Sequence, residues 1–586
     1  MSEQGLSGYP SIDRPWMKYY DHYMTDAPRP KCSIYEYMYG VNKDYPEDIA
    51  IWYLNRKITY GELFDNIDRC ACAFLALGVK PGEIVTVAMP SLPEALYCVY
   101  ALNKIGAVAN MIHPLAGEDE IVNYLNEVKS RVCVMFDGTY EIVKASIGKT
   151  SVKRAVVVSP ADSLAFPLSF LYRAKNKKPV FPNDSVFMDW KAFIAGGAGR
   201  KPVKFKRNID SVAIISHTGG TTGEPKGVMC SDNAVNSVLW QTVCRIPHGR
   251  QGRFLSVLPP FINYSLVTSM LQPLAIGFTA VLIPKYEPDK FDKYVRKYRP
   301  NYVISIPAYW ELLCDNERLK AKLESMDLSC LKLCIYGGET MNTEKEIEIN
   351  HLLLTHGADT KLSKGIGSTE STSVVTFTYR ECNELNSVGI PLHDMTCKIV
   401  DTETGKELPT NSVGEVCFSG PTIMLGYYNR PDATDEVLRT HDDGIRWLHT
   451  GDLGRINEDG VLFITGRIKR IIMTKGNDRQ VTKLFPDRIE KVIDMHPAVS
   501  MCCVIGVPDP VRINYASVYV ELHHGFTPSE ELKEDIRAFC KGKLPEYQIP
   551  DDVEFIDILP RTPREKVDYR ALEEMMKEKE NEDGNR

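Results

Sequence analysis

Residues 216–229 read SHTGGTTGEPKGVM, directly after the apolar run SVAIIS at 211–216. Thr218, Thr221 and Thr222 stand among Gly219, Gly220 and Gly223, with Lys226 close behind. A backbone that must approach an anion closely needs glycine, because a Cβ would stand in the way. Its N–H groups and the threonine hydroxyls can then donate to anion oxygens, and lysine adds a point charge suited to a polyphosphate. The Walker pattern needs Gly-Lys followed by Ser or Thr, whereas Lys226 lies between Pro225 and Gly227. A surface turn is the plain alternative, but few surface turns follow a buried strand so closely.

The sequence around this loop alternates strand and helix signals. ITYGELFDNIDRCACAFLALGV (58–79) predicts a helix ending before Gly78, and EIVTVAMP (83–90) a strand. SLPEALYCVYALNKIGAV (91–108) predicts a helix with Ser91 as N-cap and Pro93 in the first turn. Further strands are expected at RVCVMF, RAVVVS, AVLIP and YVISIP. This rhythm implies an α/β architecture with largely parallel sheets. From about residue 386, short strands between turn signals (KIVDTETGKEL, GEVCFSG, NEDGVLFITG) indicate an antiparallel sheet or small barrel. A compact α+β unit is expected from 467 to about 575. The charged end, KEKENEDGNR, is expected to be disordered from about 576.

Composition narrows the classes. At 586 residues the chain is too long for one core. Its 44% hydrophobic and 25% charged residues are ordinary for a soluble globular protein. A net charge of −7 without a long basic stripe argues against nucleic acid as a partner. The opening MSEQGLSGYPSIDRPW has no apolar core and no cleavage-site pattern, so a cytoplasmic location is expected. The longest apolar stretch, VTSMLQPLAIGFTAVLI (267–283), is broken by Gln272, Pro273 and Gly277 and reads as a buried helix followed by a strand. Sixteen cysteines without a Cys-x-x-Cys fit reduced, buried thiols better than zinc or disulfides. Residues 160–182, PADSLAFPLSFLYRAKNKKPVFP, form an apolar, proline-bounded stretch with a basic end. A surface insertion packed on the main domain is the first reading, and a peripheral membrane contact the second.

HTGGTTGEPKGV (217–228) resembles the phosphate loop of adenylate-forming enzymes, a family of acyl-CoA synthetases, luciferases and peptide-synthetase adenylation domains. The resemblance continues in order through YGGE (336–339), GIGSTE (365–370), SVGIPL (387–392) and VGEVCFSGPTIMLGYYN (413–429). It ends with WLHTGDLG (447–454), TGRIKRIIMTKG (465–476) and LPRTPREKVDYRAL (559–572). TGD alone is ordinarily a turn, GSTE a capping box and Lys469 a solvated charge. Their shared order lifts all three.

The resemblance implies a large N-terminal domain, 1–466, of mixed sheets and helices with a small barrel-like subdomain. A small mobile lid, 467–586, would follow. It implies that a carboxylic acid and ATP give acyl-AMP and pyrophosphate, and that a thiol, commonly CoA, displaces AMP. Thr218, Gly219, Gly220, Thr221, Thr222 and Lys226 would hold the β- and γ-phosphates. Thr369 and Glu370 match phosphate and Mg²⁺ contacts, and Mg²⁺ is ordinarily held by one or two carboxylates plus phosphate oxygens. Gly338, Glu339, Gly365, Ile366, Gly367 and Ser368 line the adenine side. Asp452 would accept from the ribose hydroxyls, with Arg467 reinforcing ribose or phosphate. Lys566 matches the adenylation lysine and Lys469 the hinge.

Ile262, Asn263 and Gly337 fall in the acid pocket. Ile262 stands where peptide-synthetase domains place an Asp, and a buried ammonium beside it would lie unpaired. An α-amino acid is therefore disfavoured, and a medium- or long-chain fatty acid is the first expectation. Aryl or dicarboxylic acids are the alternative. Ile366 replaces a common adenine-stacking aromatic, and Gly219 a serine. About five residues are inserted between Gly476 and Pro486, Arg488 stands where Glu is usual, and Glu565 replaces the glycine before Lys566. These departures leave room for an acyl-AMP ligase serving a separate carrier protein. A non-catalytic nucleotide binder would be marked by lost residues, yet Lys226, Glu370, Asp452 and Lys566 are all present.

Overall fold

The computed structural model describes residues 6–20, 28–175, 184, 186–201, 205–218, 225–243, 250–378, 380–475, 481–509, 511–562 and 567–583. Two large, mainly parallel sheets carry the N-terminal part. The first runs Gly426–Tyr427, Gly227–Ser231, Val212–His217, Val108–Met111, Ile84–Ala88, Val132–Phe136, Arg154–Val158, Phe187–Asp189. Its strands are parallel from Val212–His217 onward, and the first three pair antiparallel. The second runs Leu362–Lys364, Leu333–Tyr336, Tyr302–Ser305, Arg253–Ser256, Thr279–Leu282, Ile49–Tyr53, Arg56–Thr59, with only the last pair antiparallel. Strands such as Val108–Met111, Thr279–Leu282 and Tyr302–Ser305 are buried at every position. Parallel strands covered on both faces read as continuous apolar runs, which is why sequence found them.

The helices begin where local chemistry dictates. Thr59 and Glu62 form a reciprocal capping box at the start of Tyr60–Ala76, satisfying two otherwise orphaned N–H groups. Helix Pro93–Lys104 is buried along all twelve residues. Ser91 is not its N-cap, as the sequence predicts. Leu92 holds that position, and the Ser91 hydroxyl donates to the Leu258 carbonyl at 3.2 Å. Pro93 at the first turn already removes one orphan donor, so the hydroxyl serves a tertiary contact instead.

A five-stranded antiparallel sheet follows: Thr396–Val400, Gly414–Ser419, Arg446–Ile456 and Leu438–Thr440 in order, with Leu462–Arg467 also paired to Arg446–Ile456. A separate C-terminal domain contains the hairpin Ile472–Lys475/Val481–Leu484 and the sheet Val499–Asp509, Ile513–Leu522, Asp552–Phe555. Strand Val481–Leu484 lies within the stretch expected to carry the insertion; residues 476–480 lie outside the described set. Helix Tyr569–Asp583 continues through the segment expected to be disordered from about 576. The correction has a simple cause: the run is rich in the strong helix formers Glu, Lys and Met, with no Gly or Pro before Gly584. Every described cysteine is a free thiol, and all but Cys32 are buried. Among the described residues no helix is long and apolar enough to cross a membrane.

Candidate active site

The glycine-rich segment falls between the antiparallel strands Val212–His217 and Gly227–Ser231. Its neck is closed from both sides. Thr218 N–H donates to the Lys226 carbonyl at 3.0 Å, and Lys226 N–H donates to Thr218 Oγ1 at 3.0 Å. Gly219, Gly220, Thr221 and Thr222 lie outside the described residues. Lys226 directs its ammonium over the Tyr427 ring, 5.5 Å from the centroid, and the Tyr427 hydroxyl donates to Glu370 Oε1 at 2.7 Å. Burial, with the Glu370 charge beside it, pushes that hydroxyl well above its ordinary pKa, so it stays a donor. The phosphate-loop lysine and Glu370 are thus joined through one aromatic ring. Tyr427 lies inside the motif ending GYYN, but nothing in its spacing marked it as part of the site.

Glu370 ends the segment that begins at Gly365. That segment folds back tightly on residues 373–376: a Cβ on Gly365 would stand 2.2 Å from the Thr376 carbonyl oxygen, and one on Gly367 2.0 Å from that of Ser373. Ile366 N–H donates to Thr376 Oγ1 at 3.1 Å, and Val375 N–H to the Ile366 carbonyl at 2.9 Å. Ser368 N–H is taken by Ser371 Oγ at 2.8 Å, and the Thr369 carbonyl accepts from Thr372 N–H at 2.9 Å. Ile366 is half-buried against the apolar cluster of the antiparallel sheet, while Gly367 and Ser368 are exposed. Gly338, with φ +92°, turns the chain after strand Leu333–Tyr336 and leaves Gly338 and Glu339 exposed beside it. Both loops leave the same ends of adjacent parallel strands, the position at which open α/β sheets bind ligands.

Residues 262–264 bridge the two large sheets. Asn263, buried, accepts from the Ser216 hydroxyl at 2.5 Å and donates to Cys230 Sγ at 3.4 Å. Tyr264 lies against Gly337, where a Cβ would meet its ring at 3.3 Å. Ile262 is half-buried, and its aliphatic side chain can itself pair with no ammonium. Asn263, Gly337 and the strand leading into the phosphate loop are therefore brought together, as the resemblance implies. Tyr264 lies beside them, a neighbour that sequence reading passed over, since only its contact with Gly337 reveals it.

Asp452 and Arg467 face one another across paired strands, with Arg467 Nε 2.9 Å from Asp452 Oδ1. Asp452 is nearly buried and Arg467 exposed, so the guanidinium covers the carboxylate from the solvent side. Gly451, at φ +71°, turns the chain just before Asp452, and its N–H donates to Glu415 Oε1 at 3.1 Å. His449 Nδ1 lies 2.8 Å from the other oxygen of Glu415, which fixes the strand from below. Lys469 is exposed in the 3₁₀ turn Ile468–Arg470. Its neighbour Arg470 is the fixed one: it donates to Asp487 at 3.0 Å and to Glu490 at 2.5 and 3.0 Å, and lies over the Tyr569 ring. Lys566 and Glu565 lie outside the described residues.

The described part fits a nucleoside triphosphate. It offers a lysine where residues 218 and 226 close on one another and a nearly buried carboxylate suited to a diol. Glu370 also fits Mg²⁺: one oxygen accepts from Tyr427, and no described residue bonds the other, leaving a hard oxygen donor beside Lys226.

Known proteins share this arrangement over nearly the whole chain. A family model described as AMP-binding enzyme matches residues 40–428, and one described as AMP-binding enzyme C-terminal domain matches 488–566. A long-chain-fatty-acid–CoA ligase of Bacillus subtilis (strain 168) is 27% identical over 568 residues, 95% of this chain and 97% of that one. A probable 4-coumarate–CoA ligase of Dictyostelium discoideum is 26% identical over 517 residues, 87% of this chain and 89% of that one. The ATP-bound MatB structure from Rhodopseudomonas palustris has a TM-score of 0.78 at 24% identity, covering 92% of this chain and 98% of that one.

Proposed function

The chain belongs to the AMP-binding enzyme family, and from that premise we propose that it joins a carboxylic acid to CoA at the expense of ATP. The observation that carries the reading is the line Lys226–Tyr427–Glu370, which puts an ammonium and a carboxylate beside the mouth of the phosphate loop. A carboxylate oxygen of the acid attacks the α-phosphorus, the bond to the β-phosphate breaks, and pyrophosphate leaves. Lys226 and the loop donors offset the charge gathered there, a role worth about 10²–10³-fold in rate per donor in comparable sites. Mg²⁺ held by Glu370 would supply further neutralisation of the phosphates. Asp452, oriented by Arg467, would take the ribose hydroxyls. Lys566 would reach the reacting carboxylate, and turning about Lys469 would bring the CoA thiol to the acyl carbonyl, whereupon AMP leaves.

For the acid, a medium- or long-chain fatty acid is the first reading. Ile262 offers no partner to a second charge, and a relative matching 95% of the chain is named for long-chain fatty acids. The Tyr264 ring against Gly337 favours a second reading, an aryl acid, because that contact sets a flat aromatic ring beside a residue expected in the acid pocket. A carrier protein in place of CoA is the remaining alternative, motivated by the insertion expected between Gly476 and Pro486.

Acid-dependent ATP–pyrophosphate exchange across fatty acids of two to eighteen carbons and aromatic acids, each then challenged with CoA, tests all three. Exchange with fatty acids followed by acyl-CoA and AMP is the expected result. Exchange confined to aromatic acids moves the substrate to the second reading. Exchange without acyl-CoA moves the acceptor to a carrier, and no exchange from folded protein ends the proposal.

A further inference from the structure

The apolar stretch singled out at 160–182 has a fixed root and a bare tip. At the root, the Tyr53 hydroxyl donates to the Pro160 carbonyl at 3.0 Å, and the Ser163 hydroxyl to buried Glu94 at 2.6 Å. Asn55 binds the Ala165 backbone on both sides, at 3.1 and 3.2 Å. Arg173 reaches back to Asp162 at 2.9 Å, and Tyr172 packs on the main core. The helix between, Leu168–Lys175, is thus held on the domain, but inverted in polarity. Ser169 and Tyr172 are its half-buried positions, while Leu168, Phe170 and Leu171 face outward.

Phe166 is 81% exposed, Phe170 65%, Leu171 54% and Leu168 40%. Among the described residues no other six-residue window holds more than two exposed large apolar side chains. Single exposed apolar residues need no explanation, but a contiguous group on a well-anchored element marks a contact surface.

Charge selects what the surface meets. Residues 160–182 contain Arg173, Lys175, Lys177 and Lys178 against the single acid Asp162, which Arg173 pairs, so the stretch keeps a positive excess in a chain of net charge −7. A second copy seated symmetrically on this face would bring like charge against like charge. Aromatic and aliphatic side chains projecting from a short helix with a basic end match the interface of an anionic bilayer, which takes the rings at headgroup depth and the lysines at the phosphates. We propose that Phe166, Leu168, Phe170 and Leu171, with Lys175, form a docking surface for an anionic lipid membrane. The inference stands on this surface alone and holds whichever acid the enzyme activates.

The test is flotation of the full-length protein with phosphatidylcholine vesicles, with and without phosphatidylglycerol. Sedimentation velocity and ATP–pyrophosphate exchange on a soluble acid are measured on the same samples. The expected result is flotation with the anionic vesicles, reduced at least tenfold by Phe166→Ser/Phe170→Ser and clearly by Lys175→Glu, with sedimentation and exchange unchanged. Absence of flotation, flotation indifferent to the variants, or a dimer that the double variant dissociates would overturn it.

Discussion

Lys364 Nζ lies 2.6 and 2.8 Å from the two oxygens of Glu346, and both side chains are buried. The Tyr336 hydroxyl donates to the same carboxylate at 2.9 Å. Tyr336 and Lys364 are the last residues of adjacent parallel strands, immediately before Gly337 and Gly365. One carboxylate on helix Thr343–Thr355 therefore ties down the strand ends from which both nucleotide-side loops depart. Burial draws the Lys364 pKa below its ordinary value, and the Glu346 charge opposes that shift.

Glu346→Ala strands a buried ammonium, which costs about 3–5 kcal/mol. The expected outcome is a large fall in Tm together with a raised KM for ATP. Glu346→Gln/Lys364→Met, which removes both charges, should recover most of the Tm. A double variant no more stable than Glu346→Ala would show that the pair is not the source of the loss.

Tyr427→Phe removes the hydroxyl that holds Glu370. Hydrogen bonds to charged groups are worth about 1.5–3 kcal/mol, so adenylation should slow by about 10- to 100-fold, with a modest fall in Tm. The effect should be greatest at low Mg²⁺, if Glu370 holds the ion. Exchange rates measured against Mg²⁺ concentration decide this.

Gly367→Ala forces a Cβ onto the Ser373 carbonyl oxygen, 2.0 Å away in the present geometry. Backbone cannot swing aside as a long side chain can, so the loop must shift, at about 1–3 kcal/mol. Isothermal titration should show ATP affinity falling at least fivefold. Gly338→Ala meets no neighbour within 4 Å but carries φ +92°, so its penalty comes from backbone strain alone.

Two carboxyls predict a pH dependence where the domains touch. Glu311 is pushed up to about 7 by burial and then by Asp315, and Asp494 to about 7 by burial, with Glu490 and Glu311 adding to it. Asn342 stands between them: its side-chain amide donates to the Asp494 carbonyl at 3.2 Å. Lys345 and Glu339 also act on Glu311. In an unfolded chain these carboxyls titrate near pH 4, so the folded protein holds extra protons between about pH 4 and 7. Stability from this contact is full below that window and falls as pH rises through about 7. Glu311→Gln should leave Tm unchanged below about pH 4 and raise it by about 2 °C at pH 8. A Tm gain at both pH values would place the effect elsewhere.

Much of this protein is visible along the chain itself. Hydrophobic runs and helical periodicity located the strands Ile84–Ala88, Val132–Phe136 and Tyr302–Ser305 and the helix Tyr60–Ala76. Period and burial are local properties, readable within a dozen residues. The glycines at 365 and 367 were reached only through the resemblance of GIGSTE to a family motif, and the structure supplies the reason, a backbone too crowded for a Cβ.

The relationships that make a site were not legible. Tyr427 and Glu370 are 57 residues apart, Glu346 and Lys364 18, and Tyr264 meets Gly337 from another element altogether. In the run RIKR, the solvent-facing Lys469 matched a motif, while Arg470, three of whose five hydrogen bonds reach Asp487 and Glu490, carries the structural load. The sequence by itself determined which segments become strands, helices and tight glycine turns, since each follows from the chemistry of neighbours in the chain. The order of strands in the two sheets decided which side chains share a surface, because long-range pairing brings together groups whose separation along the chain carries no period.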